Sequence, residues 1–226
     1  MSDALLETVE VETGPAPRGS VVWMHGLGAD GHDFEPLVPA LGFRAAPAVR
    51  FVFPHAPMRP VTINNGWVMR AWYDVRADGG ERREDEAGVR ASQEAIEALI
   101  ARETARGVPA SRIVLAGFSQ GGAMALHTGL RYRERLAGIL ALSCFLPLAS
   151  TLEGEAGAAN RAAPIFMAHG VYDQLIPLAR ARRSCHVLSG LGWNVEWHEY
   201  PMAHAVCDEE VADVAAWLRG VLGGAS

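Results

Sequence analysis

Lysine is absent from the 226-residue chain: all 20 basic side chains are arginine. That excludes every chemistry built on a catalytic amine, including the lysine of a Walker loop or kinase, Schiff-base and pyridoxal enzymes, and serine–lysine dyads. Cysteine is scarce. Cys144, Cys185 and Cys207 are too far apart for a zinc ribbon or a redox pair, so three reduced thiols are expected. No run approaches the ~18 apolar residues of a membrane span, so no stable membrane insertion is expected. Positive charge is in deficit too, with a formal net charge of −6, which argues against a nucleic-acid partner. No basic cluster precedes an apolar stretch between Met1 and Glu12, so no signal peptide is read and a cytoplasmic location is expected. No H-E-x-x-H or paired-cysteine motif suggests a metal, and neither metal nor organic cofactor is expected.

Half of the residues are hydrophobic, which is ordinary for a globular chain, and the length suits one domain covering 1–226. Strand-like and helix-like signals alternate. Ser20–His25, Val49–Phe53, Ile113–Phe118, Ala137–Leu142 and Pro164–Ala168 are short, continuous apolar runs, as expected of strands buried on both faces of a parallel sheet. Val195–Tyr200 alternates like a strand nearer an edge, and Thr8–Thr13 reads as an outer strand. Helical stripes run from about Glu84 to Thr104, from Pro177 to Leu188, and from Asp208 as cap to Gly223 as stop. Such alternation predicts an α/β fold, a mostly parallel sheet with helices on both faces. The stretch Pro54–Asp78, with three prolines, two asparagines and three aromatic residues, reads as a long functional loop.

Gly117-Phe118-Ser119-Gln120-Gly121 matches the G-x-S-x-G nucleophile elbow. The pentapeptide is weak alone, but it follows the most strand-like run, IVLAGF, and precedes the small, apolar helix start GAMALH. That strand–turn–helix setting is the confirmation the motif needs. A sharp turn there would lift the Ser119 hydroxyl above the sheet edge, with glycines where side chains would collide. The alternative for Ser119, an ordinary helix N-cap, explains neither flanking glycine.

A serine hydroxyl needs a base within hydrogen-bond reach. In this fold class the chain order is serine, acid, histidine. Of the downstream histidines, His186 lies in a helix, His198 in a strand, and His169 closes a strand as a buried group beneath the site. His204, in PMAHA between the last strand and the last helix, sits in a loop able to carry a base over Ser119. Asp173 follows the PIFMAHG run and would hold the imidazole tautomer and stabilise its cation. His25-Gly26-Leu27-Gly28 follows the first central strand, so backbone N–H groups of Leu27 and Gln120 are candidates for an oxyanion hole.

With these residues in hand, the chain resembles the phospholipase/carboxylesterase family of α/β-hydrolases, which includes bacterial carboxylesterases and acyl-protein thioesterases. The matching blocks are HGLGADGHDF (25–34), VMRAWYD (68–74), EDEAGV (84–89), GFSQGGAMAL (117–126), LAGILALSCFLPL (136–148), HGVYDQLIPL (169–178) and YPMAHAVCDEE (200–210), in family order. The resemblance implies an α/β-hydrolase fold without a large cap domain and a triad of Ser119, Asp173 and His204. It also implies an oxyanion hole of the Leu27 and Gln120 amides, and it leaves a homodimer open. Trp67 departs from the pattern, standing where a smaller residue is expected. It either narrows the acyl site or folds against the surface.

The expected reaction is acyl transfer to water through an acyl-enzyme, on a small-molecule ester or thioester. Trp67, Met69, Trp72, Phe145, Leu146 and Leu175 are candidates to line the acyl groove, the alternative being core packing. Apolar pockets discriminate at only ~1–3 kcal/mol per methylene. A carboxylesterase of short-to-medium acyl preference therefore ranks first, with acyl-protein thioesterase or lysophospholipase as alternatives and an inactive binding module last.

Overall fold

The structure is a computed structural model that describes residues 5–43, 47–78 and 81–223, the side chains of 77, 78 and 81–83 excepted. Its strands are β1 (Thr8–Glu12), β2 (Gly19–Met24), β3 (Val49–Pro54), β4 (Met58–Val61), β5 (Trp67–Arg70), β6 (Val75–Asp78), β7 (Glu81–Glu84), β8 (Ile113–Phe118), β9 (Gly138–Leu142), β10 (Ile165–Gly170) and β11 (Val195–Tyr200). The α-helices are α1 (Glu86–Ala105), α2 (Gln120–Arg131), α3 (Leu152–Glu155), α4 (Leu178–Gly190) and α5 (Asp208–Gly223).

Seven strands form one sheet in the order β1-β3-β2-β8-β9-β10-β11, parallel except for β1, which runs antiparallel to β3 at the edge. The apolar runs are strands because both of their faces are covered. In β2, Val22 and Met24 face a layer that includes Ile96 and Leu99 of α1 and Leu126 of α2. Val21 and Trp23 face the opposite layer, with Val214 and Leu218 of α5 and Leu41 of the 3-10 segment Glu35–Leu41. The period-2 alternation is present, but it sorts apolar residues between two cores and so reads as a continuous run.

The stretch Pro54–Asp78 is not a structureless loop. β4 and β5 form an antiparallel hairpin in which Val61 pairs with Trp67, and β6 pairs with β7 in a second hairpin. The first turns through Asn65 and Gly66, both in the left-handed region at φ 57° and 74°. Asn-Gly is a strong hairpin signal, here obscured by Pro57 and Pro60. Pro60 is tolerated because a two-stranded ribbon consists of edges. The first long helix also starts later than its stripe suggests: β7 takes up Glu84, and Asp85 caps α1 by accepting the Gly88 N–H at 3.2 Å.

One buried group resists the packing. Glu210, in the first turn of α5, is fully buried, and neither carboxylate oxygen has a hydrogen-bond partner. Desolvation raises its pKa to about 8. The unfolded chain releases this proton near the ordinary value, while the fold retains it to a much higher pH. Stability therefore falls as pH rises between those limits.

Two predictions follow from the packing. Gly121→Ala would place a Cβ 2.2 Å from the Met24 carbonyl oxygen, whereas a Cβ at Gly220, on the surface of α5, meets nothing within 4 Å. In urea titrations the first substitution should lose ~2 kcal/mol or more, and the second should be neutral or gain up to ~1 kcal/mol. Glu210→Gln should stabilise the fold by an amount that grows between pH 5 and 8, reaching ~1–3 kcal/mol, and scanning calorimetry across that range should show Tm rising accordingly.

Candidate active site

Parallel strands deliver their C-terminal ends to one edge of the sheet, and the site is assembled there from four of them. β2 leads into His25–Leu27, β8 into Ser119, β10 into Asp173 and β11 into His204. Ser119 sits at φ 54°, ψ −118°, a strained turn between β8 and α2, and its N–H donates to the Leu142 carbonyl at 2.8 Å. The flanking glycines permit the turn: a Cβ on Gly117 would lie 2.3 Å from the Gly121 backbone.

Ser119 Oγ lies 2.9 Å from His204 Nε2, and His204 Nδ1 lies 2.6 Å from Asp173 Oδ2. The His204 ring tilts against Phe118 with centroids 4.8 Å apart. The other oxygen of Asp173 accepts the Leu175 and Ile176 N–H groups, each at 2.8 Å. Burial pushes the Asp173 carboxyl up, but the His204 hydrogen bond and these two amides outweigh it and leave the group below the usual carboxylate range. His169 is the buried ring expected beneath the site. Its Nε2 lies 2.8 Å from the Ile176 carbonyl and 3.2 Å from Asp173 Oδ2, so that nitrogen carries the proton, and desolvation holds the ring below the ordinary histidine pKa.

Leu27 and Gln120 both face the space beside Ser119. Gln120 is the first residue of α2, so its N–H has no intrahelical acceptor and lies at the positive end of the helix. In the neighbouring loop the Gly28 N–H goes to the Arg70 carbonyl at 2.9 Å and the Ala29 N–H to the Gly26 carbonyl at 3.3 Å.

A cavity of about 390 Å³ opens over Ser119 and His204. Of the six side chains expected to line it, Phe145 and Leu175 do so. The other four lie outside its lining, each for a physical reason. Trp67 is 73% exposed, beside the turn of the first hairpin. Met69 turns its sulfur toward the Asn64 amide at 3.2 Å. Trp72 is 0% exposed and Leu146 is buried with the α1–α2 core. Sequence reasoning omits Phe118, Tyr73 and Ile176, which do line the cavity. Phe118 adjoins Ser119 and Ile176 follows Asp173 by three, so proximity to the motif residues was a usable signal. Arg180 had none; it comes from the first turn of α4 and stacks on Phe145, with its guanidinium carbon 3.4 Å from the ring centroid.

Among the described residues, no cluster of three or more metal-ligating side chains occurs, no helix is long and apolar enough to cross a membrane, and all three cysteines are free.

If the three side chains work as a relay, Asp173→Asn should leave the fold intact and reverse the imidazole tautomer. Turnover should then fall by ~10⁴ in steady-state ester hydrolysis, while circular dichroism stays unchanged.

Known proteins supply independent bearings. The pattern of the phospholipase/carboxylesterase family matches residues 7–222. Acyl-protein thioesterase 1 of Gibberella zeae is 40% identical over 209 residues, 88% of this chain and 89% of that protein. Its namesake from Neurospora crassa is 40% identical over 208 residues, 88% of this chain and 85% of that protein. Among solved structures, Zea mays acyl-protein thioesterase 2 superposes with a TM-score of 0.82 at 28% identity, covering 96% of this chain and 99% of that one. Arabidopsis thaliana SOBER1 does so at 0.83 and 29%, covering 91% and 99%.

Proposed function

The chain belongs to the phospholipase/carboxylesterase family of α/β-hydrolases and is an ester- or thioester-cleaving hydrolase; on that premise we propose that it works through an acyl-enzyme on Ser119, with His204 as base and Asp173 as the acid that orients it. The observation that carries this reading is the unbroken run of contacts from Asp173 Oδ2 through His204 to Ser119 Oγ, at 2.6 and 2.9 Å, at the mouth of an apolar cavity.

His204 Nε2 takes the Ser119 proton as Oγ attacks the substrate carbonyl. Asp173 accepts from the opposite nitrogen and stabilises the imidazolium. The carbonyl oxygen becomes an oxyanion between the Leu27 and Gln120 N–H groups, each such donor contributing roughly 3 kcal/mol. His204 passes its proton to the departing alcohol or thiol. Water, deprotonated by the same nitrogen, then attacks the acyl carbon and releases the acid and free Ser119. The apolar part of the cavity wall, with Phe145, Leu175 and Ile176, suits an aliphatic acyl group. A volume of about 390 Å³, near the low end of the ~300–1,000 Å³ usual for small-molecule sites, favours short-to-medium chains. Thioester cleavage is the second reading, favoured by the names of the relatives at 40% identity.

A fluorophosphonate probe should label the wild-type protein and fail to label Ser119→Ala, with ester hydrolysis falling by ~10⁵ or more in that variant. A panel of oxygen and sulfur esters of increasing acyl length should peak at short-to-medium chains. Equal labelling of both proteins, or none of the folded wild type, would overturn the acyl-enzyme.

A further inference from the structure

Trp72 has no place in the cavity, yet every polar atom it owns is committed within the site's supporting framework. It is 0% exposed. Its backbone N–H donates to Gln120 Oε1 at 2.7 Å, and its indole N–H donates to the His25 carbonyl at 2.9 Å. Its own carbonyl accepts the Ser92 hydroxyl from α1. Gln120 closes the clamp by donating its Nε2 to the next carbonyl, Tyr73, at 2.7 Å.

One end of this clamp is an oxyanion-donor residue and the other, His25, lies two residues before the second donor, Leu27. Gln120 supplies one N–H itself. At the other end, the His25 ring accepts the Ala56 N–H on Nε2 at 3.0 Å, which puts its proton on Nδ1. That Nδ1 lies 2.6 Å from the Gly26 carbonyl and donates to it. The Gly26 carbonyl and the Leu27 N–H belong to one planar peptide and point in opposite directions. Fixing the carbonyl therefore aims the N–H. Trp72 braces this arrangement twice, by its bond to the His25 carbonyl and by its ring, tilted against the imidazole with centroids 5.5 Å apart.

We propose that Trp72 is a positioning residue for ester cleavage: it ties the His25–Leu27 loop to the Gln120 side chain so that the two backbone N–H groups converge on one oxygen. This rests on the acyl-enzyme reading above. The effect belongs to the transition state, because the donors meet the oxygen at full strength only when it carries charge. Loosening the clamp should therefore lower kcat and leave KM nearly alone.

Trp72→Phe keeps the ring and backbone contacts and removes only the indole donor. Gln120→Met keeps the backbone N–H and removes the clamp at the other end. Each variant is first checked for a wild-type circular dichroism spectrum and Tm, then assayed on a short-chain ester. Each should lose about tenfold in kcat, part of the ~10²–10³ lost when an oxyanion donor is removed outright. KM should stay within about twofold, and the Ki of an alkylboronic acid, a tetrahedral mimic, should rise in step with the loss in kcat/KM. Because both act on one brace, the double variant should lose little more than the worse single variant. Unchanged kcat in a folded Trp72→Phe, a rise in KM instead of a fall in kcat, fully additive losses, or failure of both variants to fold would each overturn the proposal. Ser119→Ala in the same assay separates the two levels. Wild-type turnover there sinks the acyl-enzyme reading and this inference with it. An inactive Ser119→Ala beside a fully active Trp72→Phe sinks the inference alone.

Discussion

Ser119 holds a backbone conformation that an L-residue adopts at a cost of ~1–3 kcal/mol, at φ 54° and ψ −118°, and the geometry of the site follows from that turn. A relaxed turn would point the hydroxyl along the sheet rather than up from its edge. The strain is held by what surrounds it. The Ser119 N–H is fastened to β9 through Leu142, α2 begins at the next residue, and a Cβ on Gly117 would strike the Gly121 backbone while one on Gly121 would strike the backbone of Met24 and His25. The buried sheet supplies the rigidity, since a strand held on both edges and covered on both faces cannot yield to relieve one residue.

Electrostatics at the site follow from the same layout. Asp173 is buried, which by itself would favour the protonated form. A neutral carboxyl could not stabilise an imidazolium. The turn after β10 answers this with two backbone N–H groups on one carboxylate oxygen and two imidazoles against the other, so the charge persists in a setting that excludes water. Glu210, a few residues beyond His204, lacks such partners and is driven toward neutrality instead. The contrast isolates the cause. Burial alone raises a carboxyl, and the hydrogen-bond donors decide whether it stays charged.

How far the sequence could be read depended on how local the signal was. β8 and β11 match the apolar runs residue for residue, because continuous and alternating patterns respond directly to what covers each face. Ser119, Asp173 and His204 were legible because each is the first polar, loop-borne candidate after a strand, and parallel strands end together. The cavity wall was less legible. Trp72 and Leu146 carry the size and apolarity of pocket residues, and nothing in composition separates a wall from a strut. What places Trp72 inside is a set of hydrogen bonds to residues 20 to 48 positions away. The Asn65-Gly66 hairpin was legible in principle, but the prolines beside it pull the reading toward loop.

The division between apolar and polar attachment also bears on how the site could vary. The sheet and α1, α2 and α5 are held to one another by continuous apolar burial, which tolerates little change in volume. The segment from β4 to β6 is attached differently. Besides the buried Trp72 and Tyr73, it is held by discrete hydrogen bonds: Gly28 N–H to the Arg70 carbonyl, Trp72 N–H to Gln120 Oε1, Gln120 Nε2 to the Tyr73 carbonyl, and the Trp72 indole N–H to the His25 carbonyl. Ile63, Asn64, Tyr73, Asp74 and Val75 of this segment line the cavity. At Ile63 and Val75 the side chain can change in size without removing these ties, because neither residue supplies one of them. The strained elbow belongs to the packed sheet, and one side of the cavity belongs to a ribbon tied to that sheet by polar bonds as well as by the burial of Trp72 and Tyr73.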